Sequence, residues 1–255
     1  MDIIIVFVFG LLIGSFLNVC IYRIPLEKSI VYPRSSCLQC GKNLTVIDLI
    51  PIISYIFLEG KCRYCKNYIS VRYASIELLT AILFIFAYMN LGISIKMIQT
   101  LILISFLIII TFIDYDYQLI LDKLLIPLGT IGIIFIFVNS LLYNYVLYSK
   151  MADALIGSFL GGGLLVIINY LSRGGIGWGD IKFGFVIGIW LGWQHTLITL
   201  MLAFILGGIV GIVLIVFKLK EKKDYIPFGP FLSFAMFINY FYGNQIIYLY
   251  LEWLL

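Results

Sequence analysis

The chain has 255 residues, of which 63% are hydrophobic and 12% are charged, and its mean hydropathy is +1.10. A soluble globular domain is about half apolar and about a quarter charged, so this composition excludes a water-soluble fold. It also excludes intrinsic disorder, which requires low hydrophobicity and a high net charge. The remaining class is a membrane protein. Its apolar runs are continuous, which favours helices over a β-barrel, whose strands alternate apolar and polar residues.

Eight apolar runs follow one another along the chain. A membrane-spanning helix needs about 20 apolar residues, so the sequence predicts an all-α polytopic membrane protein with about eight transmembrane helices. The sixth run is short and rich in glycine, which indicates a tilted helix or one shielded by its neighbours. The runs lie at residues 3–21, 74–91, 97–113, 124–143, 153–171, 183–194, 197–217 and 229–251.

These runs divide the chain into three predicted regions. They are a first transmembrane helix at 1–21, a cytoplasmic loop domain at 22–73 and a transmembrane core at 74–255. The first run follows Asp2, has no basic residues before it and is followed by Arg23. This pattern favours a retained anchor over a cleaved signal peptide.

The formal net charge of +4 is informative only through the positions of the basic residues. If all eight runs span the membrane, fifteen lysines and arginines fall on one side, and only Lys96 and Lys150 fall on the other. Cytoplasmic loops carry an excess of these residues. We therefore expect the N-terminus outside the cell and residues 22–73 in the cytosol.

The predicted loop domain contains four cysteines in two C-x2-C pairs, separated by 21 residues. Two such pairs are typical of a tetrahedral zinc site, and four thiolates close the coordination shell, so the metal would be structural. The alternatives are two disulfides, which a reducing cytosol disfavours, or cysteines that are unrelated to one another. Cys20 is interpreted as a small apolar residue of the first span. The predicted ligands are Cys37, Cys40, Cys62 and Cys65.

Two aspartates stand at the ends of apolar runs, where a charge is costly unless it has a function. Asp114 ends the third run, and Asp180 lies in Gly177-Trp178-Gly179-Asp180-Ile181-Lys182. The predicted topology puts both on the same face, so helix packing could join them. The flanking Gly177 and Gly179 let the backbone approach closely.

Two adjacent carboxylates do not both ionise easily, so one holds a proton while the other is charged. Such a pair can activate water and protonate a peptide carbonyl without histidine or metal. Asp180 is expected to precede a helix, whose positive N-terminus would make it the more readily ionised of the two.

Several alternatives remain at this stage. Each aspartate alone could be a helix cap or an interface charge, and together they could relay protons or ions in a transporter. The zinc module could instead recruit a partner to a membrane anchor. Asp116 and Asp122 are interpreted as solvated loop acids, either of which could assist the pair. His195 is the only histidine and is expected on the opposite side of the membrane, which excludes a Ser-His-Asp triad and an H-E-x-x-H zinc site.

At these positions the chain resembles the type IV prepilin peptidases, which are membrane aspartic proteases. The two aspartate motifs, the paired C-x2-C knuckles, and residues 14–25, 69–73 and 227–232 match the family's segments in order and spacing. Two positions depart from the common pattern: Tyr117 stands where histidine is frequent, and Leu121 stands where proline is frequent. A presenilin-like protease also uses a Gly-x-Gly-Asp motif, but its Pro-Ala-Leu signature is absent and the zinc loop argues against it.

The resemblance implies that Asp114 and Asp180 are catalytic, and that the substrates are prepilins or pseudopilins in the lipid bilayer, with no nucleic acid. Their basic leader ends in glycine and would be cleaved at the cytoplasmic face of the bacterial inner membrane, commonly before phenylalanine. The resemblance alone implies S-adenosylmethionine as methyl donor for the new N-terminus. Lys182, Asn18 and Glu77 are candidate supporting residues.

Overall fold

The computed structural model describes residues 1–143, 146–221 and 225–254. Within these ranges the regular structure is helical and contains no strand beyond two isolated bridges, which confirms the all-α prediction. A short 3₁₀ helix covers Val46–Leu49. The α-helices are α1 (Asp2–Arg23), α2 (Ile53–Phe57), α3 (Val71–Leu91), α4 (Ile95–Tyr117), α5 (Asp122–Tyr143), α6 (Leu147–Leu171), α7 (Trp178–Leu191), α8 (Trp193–Val216) and α9 (Gly229–Leu254).

Every predicted apolar run coincides with one of the long helices, and the largest difference concerns the sixth. This helix, α7, begins at Trp178 and not near residue 183. Asp180 therefore lies in the first turn of α7, whereas the sequence had placed it in the preceding loop. The polar residues Asp180 and Lys182 delay the start of the apolar run, but Gly177 serves as the N-cap and Gly179 is already helical.

Among the described residues, six helices are long and apolar enough to cross a membrane: α1, α3, α4, α5, α6 and α8. Many large apolar side chains on these helices are exposed, as lipid contact requires. The two remaining long helices, α7 and α9, are not among the six, so eight spans stay a prediction. Lys222 and Lys223, which contribute to the charge count, lie outside the described residues.

The chain forms two compact units, Met1–Ile109 and Ile110–Leu255. In the first unit α1 packs closely against α3. The absence of a side chain at Gly10 allows this, since a Cβ atom there would lie only 2.6 Å from the Cα atom of Ala81. The Asn18 side chain joins the same two helices by donating to the backbone carbonyl of Tyr73 at 3.0 Å. The predicted regions 1–21, 22–73 and 74–255 stay a prediction.

The second unit contains the last turns of α4 together with α5 to α9. Its closest packing is between α6 and α7, where a Cβ atom on Gly161 would overlap the carbonyl oxygen of Gly184. The Trp190 indole donates to the Leu128 carbonyl at 2.9 Å and thereby joins α7 to α5. These contacts hold α7 between two neighbouring helices of the unit.

Two glycines of α6 allow a matched test of this packing. In Gly161→Ala the new methyl group would overlap backbone, whereas Gly163→Ala adds one where nothing lies within 4 Å. We expect Gly161→Ala to destabilise the protein by about 1–3 kcal/mol and Gly163→Ala to be neutral or slightly stabilising. Thermal unfolding in detergent measures both, and equal unfolding temperatures would contradict the close approach.

Candidate functional site

Two buried carboxylates lie in the second unit. Asp114 is in the last turn of α4 and is 2% exposed, and Asp180 is in the first turn of α7 and is 3% exposed. Their charges interact electrostatically. The structure thus brings the two predicted site residues, 66 positions apart in the sequence, into one buried acidic site.

Asp114 is held by the beginning of α9. The backbone N–H of Gly229 donates to Oδ2 of Asp114 at 2.9 Å. Gly229 is the first residue of that helix, so its N–H has no partner within the helix and is free to bind a carboxylate. A Cβ atom on Gly229 would lie 2.7 Å from the same oxygen, so the close approach requires glycine here.

Asp180 is held by its own helix. Gly177 is the N-cap of α7, and Asp180 is the third residue of the helix and accepts a hydrogen bond from the backbone of Gly177. A bond from the N-cap backbone N–H to the side chain of the third helical residue is one of the two hydrogen bonds of a capping box. The other oxygen, Oδ1, is buried and has no hydrogen-bond partner among the described residues. A buried polar atom without a partner is costly, so this oxygen is available for a proton, water or substrate.

Two further side chains line the site. Ile120 lies beside both glycines that border the carboxylates: a Cβ atom on Gly179 would lie 2.9 Å from its Cβ, and one on Gly229 would lie 3.1 Å from its Cδ1. Tyr225 lies in the loop before α9. Burial and the charges of both aspartates raise the pKa of the Tyr225 phenol to about 12. The tyrosine therefore stays protonated over the physiological range.

The expected difference in ionisation between the two aspartates depended on a helix N-terminus near Asp180 alone. The structure places both carboxylates at helix N-termini, Asp180 in α7 and Asp114 against the first residue of α9. The helix dipole therefore does not separate them. That Asp180 ionises more readily than Asp114 stays a prediction, and the helix dipole no longer supports it.

Lys182, a candidate supporting residue, engages another acid. Its Nζ lies 2.8 Å from both oxygens of Asp122, the first residue of α5. Both side chains are about half exposed, and an exposed ion pair contributes about 0–1 kcal/mol. Asp122 therefore has a cationic partner, whereas the sequence had suggested a solvated loop acid.

Sequence reasoning assigned no role to Gly229, Ile120 or Tyr225. Only their positions in the sequence pointed to them: Gly229 begins the last apolar run, directly after Pro227 and Phe228, and Ile120 follows Asp114 by six residues. The predicted topology places both segments on the face that carries the aspartates. Which backbone N–H meets which carboxylate depends on helix packing, which spacing alone does not reveal.

The four predicted metal ligands form one cluster in the first unit. The Sγ atoms of the four cysteines lie within 4.8 Å of one another, with Cys37 and Cys65 separated by 3.9 Å. Tetrahedral coordination at a zinc–sulfur distance of about 2.3 Å places sulfur atoms about 3.8 Å apart. All five cysteines are unbridged, Cys20 included. The cluster is thus positioned to bind a metal ion.

Each cysteine pair lies on a tight turn closed by backbone hydrogen bonds. Cys37 N–H donates to the Lys42 carbonyl at 2.9 Å, and Cys62 N–H donates to the Asn67 carbonyl at 2.8 Å. The first turn requires the positive φ of Gly41, +69°. Hydrogen bonds from the backbone at Cys40 lower the pKa of the Cys37 thiol to about 7. Against a hydrogen bond from the backbone at Asn67, burial and hydrogen bonds with the other three cysteines raise the pKa of the Cys65 thiol to about 11, so without metal the cluster favours one thiolate and not four.

The candidate supporting residues Asn18 and Glu77 lie in the first unit. Asn18 joins α1 to α3, as described above. Glu77 is buried in α3, and its Oε2 accepts a hydrogen bond from the backbone N–H of Ile52 at 2.8 Å. Asn18 therefore joins the two helices that flank the loop, and Glu77 joins the loop to α3.

His195 is in the first turn of α8, which follows the end of α7 farthest from Asp180. Its Nδ1 lies 3.2 Å from Oδ1 of Asn239 in α9, and the amide nitrogen of Asn239 donates to the Thr199 hydroxyl at 2.8 Å. The histidine thus belongs to a polar contact between α8 and α9. The opposite ends of α7 separate it from the carboxylates.

Comparison with known proteins matches both parts of the chain. The model for the bacterial peptidase A24 N-terminal domain matches residues 8–91, and the model for the type IV leader peptidase family matches residues 101–212. Similar proteins include the prepilin leader peptidase/N-methyltransferases of Aeromonas salmonicida (strain A449) and Bacillus subtilis (strain 168). Each is 36% identical, over 98% and 97% of this chain and 94% and 97% of the relative. The Pseudomonas aeruginosa protein of the same name is 32% identical over 95% of this chain and 91% of its own length. No solved structure matches.

These matches place the protein among the membrane-embedded bacterial peptidases. More particularly, the chain belongs to the type IV leader peptidase family. It is a multi-pass protein of the bacterial inner membrane. Both family models describe peptidases, so the transporter alternative is not supported.

Proposed function

We propose that the protein is an aspartic endopeptidase that removes the leader from type IV prepilins or pseudopilins, with Asp114 and Asp180 as its catalytic residues. The observation that carries this proposal is the pair of buried, interacting carboxylates, one of which has an oxygen without a partner. Carboxylates buried at such a cost are typical of functional sites.

The proposed reaction is hydrolysis with the pair sharing one proton. The ionised carboxylate takes a proton from water as its oxygen attacks the scissile carbonyl, while the protonated carboxyl donates to the carbonyl oxygen. The intermediate then collapses, the C–N bond breaks and the leaving amine takes up a proton. The leader ends in a carboxyl group, and the mature protein gains a free amino terminus.

The charge distribution of the sequence supports a location of this site at the cytoplasmic face, with the N-terminus outside. Asp114 ends α4 and Asp180 begins α7, so both carboxylates lie at helix ends. A basic leader would remain on the same side, because cytoplasmic segments hold the positive charges. The bond between leader and apolar helix would then lie at the depth of the carboxylates.

Purified protein in lipid vesicles, incubated with a prepilin, tests the proposal. We expect a shortened product whose N-terminal residue directly follows the leader glycine, identified by mass spectrometry. Intact prepilin after prolonged incubation, under conditions in which a known family member cleaves it, would contradict the proposal.

The relatives' names include N-methyltransferase activity, and we propose that this protein also methylates the new N-terminus. S-Adenosylmethionine is the proposed methyl donor. Adding it to the cleavage reaction should increase the product's mass by one methyl group at the N-terminal residue. An unmodified product in the presence of the donor would mean that the protein is a peptidase without methyltransferase activity.

We further propose that the metal bound by the cysteine cluster is zinc in a structural role. We expect about one zinc per chain after reducing purification, and its loss in Cys62→Ser because three thiolates no longer close the shell. Cys20→Ala is the matched control and should retain the metal, since Cys20 lies in α1 outside the cluster. Elemental analysis measures both variants, and substoichiometric zinc in the wild type would contradict the site.

A further inference from the structure

The segment between the two cysteine turns is unusually apolar for a loop domain. We define the inter-turn segment as residues 44–58, which include one charged residue, Asp48. Several of its large apolar side chains are half to more than four-fifths exposed: Val46, Ile47, Ile53, Ile56 and Phe57. Exposed apolar patches of this kind mark an interaction surface.

A hydrogen bond fixes the backbone of this segment beside α1 and α3, at a level between the two ends of each helix. Ile52 N–H is bound by Glu77, six residues after the start of α3, which corresponds to about 9 Å along a helix axis. Ser15 of α1 also bonds Glu77 and lies eight residues before Arg23, about 12 Å from that end of the helix. Both helices are candidate spans. Ile52 therefore lies inward of the ends of both helices that adjoin the loop, on the side towards the bilayer.

The single charge of the segment is neutralised within the loop. Nε of Arg63, in the second cysteine turn, lies 2.6 Å from Oδ1 of Asp48, and the Thr45 hydroxyl donates to Oδ2 at 2.7 Å. The Asp48 side chain is 3% exposed. Pairing with Arg63 leaves no uncompensated charge on the segment, which lowers the cost of bringing it close to an apolar medium.

The charges around the segment favour an anionic surface. Residues 22–73 contain eight basic and three acidic side chains. Arg23 and Arg72 lie at the ends of the two flanking helices. Basic residues beside an apolar face are typical of elements that lie in a membrane interface rich in anionic lipid.

We propose that the inter-turn segment is a membrane-embedded element whose exposed apolar side chains insert at the boundary between lipid headgroups and acyl chains. The surrounding basic residues contact anionic phosphates. The cysteine turns hold the segment in place through the Arg63–Asp48 pair, and Glu77 sets its depth. The proposal concerns lipid contact and does not rest on the peptidase assignment.

Photo-crosslinking of the full chain tests this. A benzophenone amino acid replaces Phe57 or, as the matched control, Leu38, which is exposed in the first cysteine turn. Both proteins are placed in nanodiscs of phosphatidylcholine and phosphatidylglycerol, and lipid adducts are counted by mass spectrometry. We expect at least about fivefold more lipid adduct at position 57 than at position 38. We also expect about twofold enrichment of phosphatidylglycerol among the adducts relative to its share of the disc.

Three results would overturn the proposal in whole or in part. Equal adduct yields at the two positions would exclude insertion of the segment. Adducts in proportion to lipid composition would exclude the preference for anionic lipid. Replacement of the lipid adducts at position 57 by prepilin adducts, once a prepilin is added, would identify a substrate surface and not a lipid surface.

Discussion

Replacing either Asp114 or Asp180 with asparagine should reduce the rate of prepilin cleavage by at least about 1,000-fold, because general acid–base catalysis requires an exchangeable carboxyl proton. Asparagine has nearly the same volume and keeps an oxygen that accepts hydrogen bonds. The bond from the Gly229 backbone to residue 114 should therefore persist, and the variants should fold. Initial rates in lipid vesicles measure the effect.

Asp116→Asn is the matched control for these variants. Asp116 lies two residues from Asp114 in the same helix turn, but it is exposed. Its replacement removes the same charge without reaching the buried pair, so we expect cleavage at the wild-type rate. Cleavage at wild-type rate by Asp114→Asn or Asp180→Asn would exclude that residue from the catalytic pair.

Gly229→Ala should reduce kcat by about 100-fold, because displacement of a reacting group by about 1 Å has an effect of that size. The new Cβ atom would lie 2.7 Å from Oδ2 of Asp114 and 3.1 Å from Cδ1 of Ile120. Either the carboxylate or the start of α9 must move. KM should change little if substrate is bound mainly by groups away from this contact. Steady-state kinetics with a prepilin separate the two parameters.

Gly208→Ala in α8 controls for the general effect of adding a methyl group to a membrane helix. No atom lies within 4 Å of the Cβ position at Gly208, so this variant should cleave like the wild type. Comparable kcat values for Gly229→Ala and Gly208→Ala would mean that the close approach at Gly229 does not position Asp114.

The sequence predicted the elements of this protein better than their contacts. Continuous apolar runs identify helices because lipid leaves few other backbone structures, and every predicted run coincides with a helix. The spacing of the cysteines predicted their cluster, because each C-x2-C pair fits a single tight turn. The same-face argument allowed Asp114 and Asp180 to come together without predicting that they do, and the structure places both in one buried site.

Contacts between helices were harder to predict from the sequence, for a physical reason. A helix in lipid is apolar on every side, so its sequence lacks the amphipathic pattern that identifies the buried face of a soluble helix. The bond from Gly229 to Asp114 joins residues 115 positions apart, and the bond from Ile52 to Glu77 depends on a loop conformation. The start of α7 was missed because its first residues include Asp180 and Lys182, so the continuous apolar run begins only at residue 183.

The length of α7 has a consequence for hydrolysis. Its 14 residues extend about 21 Å, whereas the hydrocarbon core of a bilayer is about 30 Å thick. If α7 spans the membrane, as the sequence predicts, this mismatch requires the bilayer to thin locally around the helix. Asp180 lies in the first turn of this helix, where local thinning would bring the water interface closer to the buried carboxyl group. The short length of α7 would thus bring water, the second substrate of hydrolysis, towards the carboxylates.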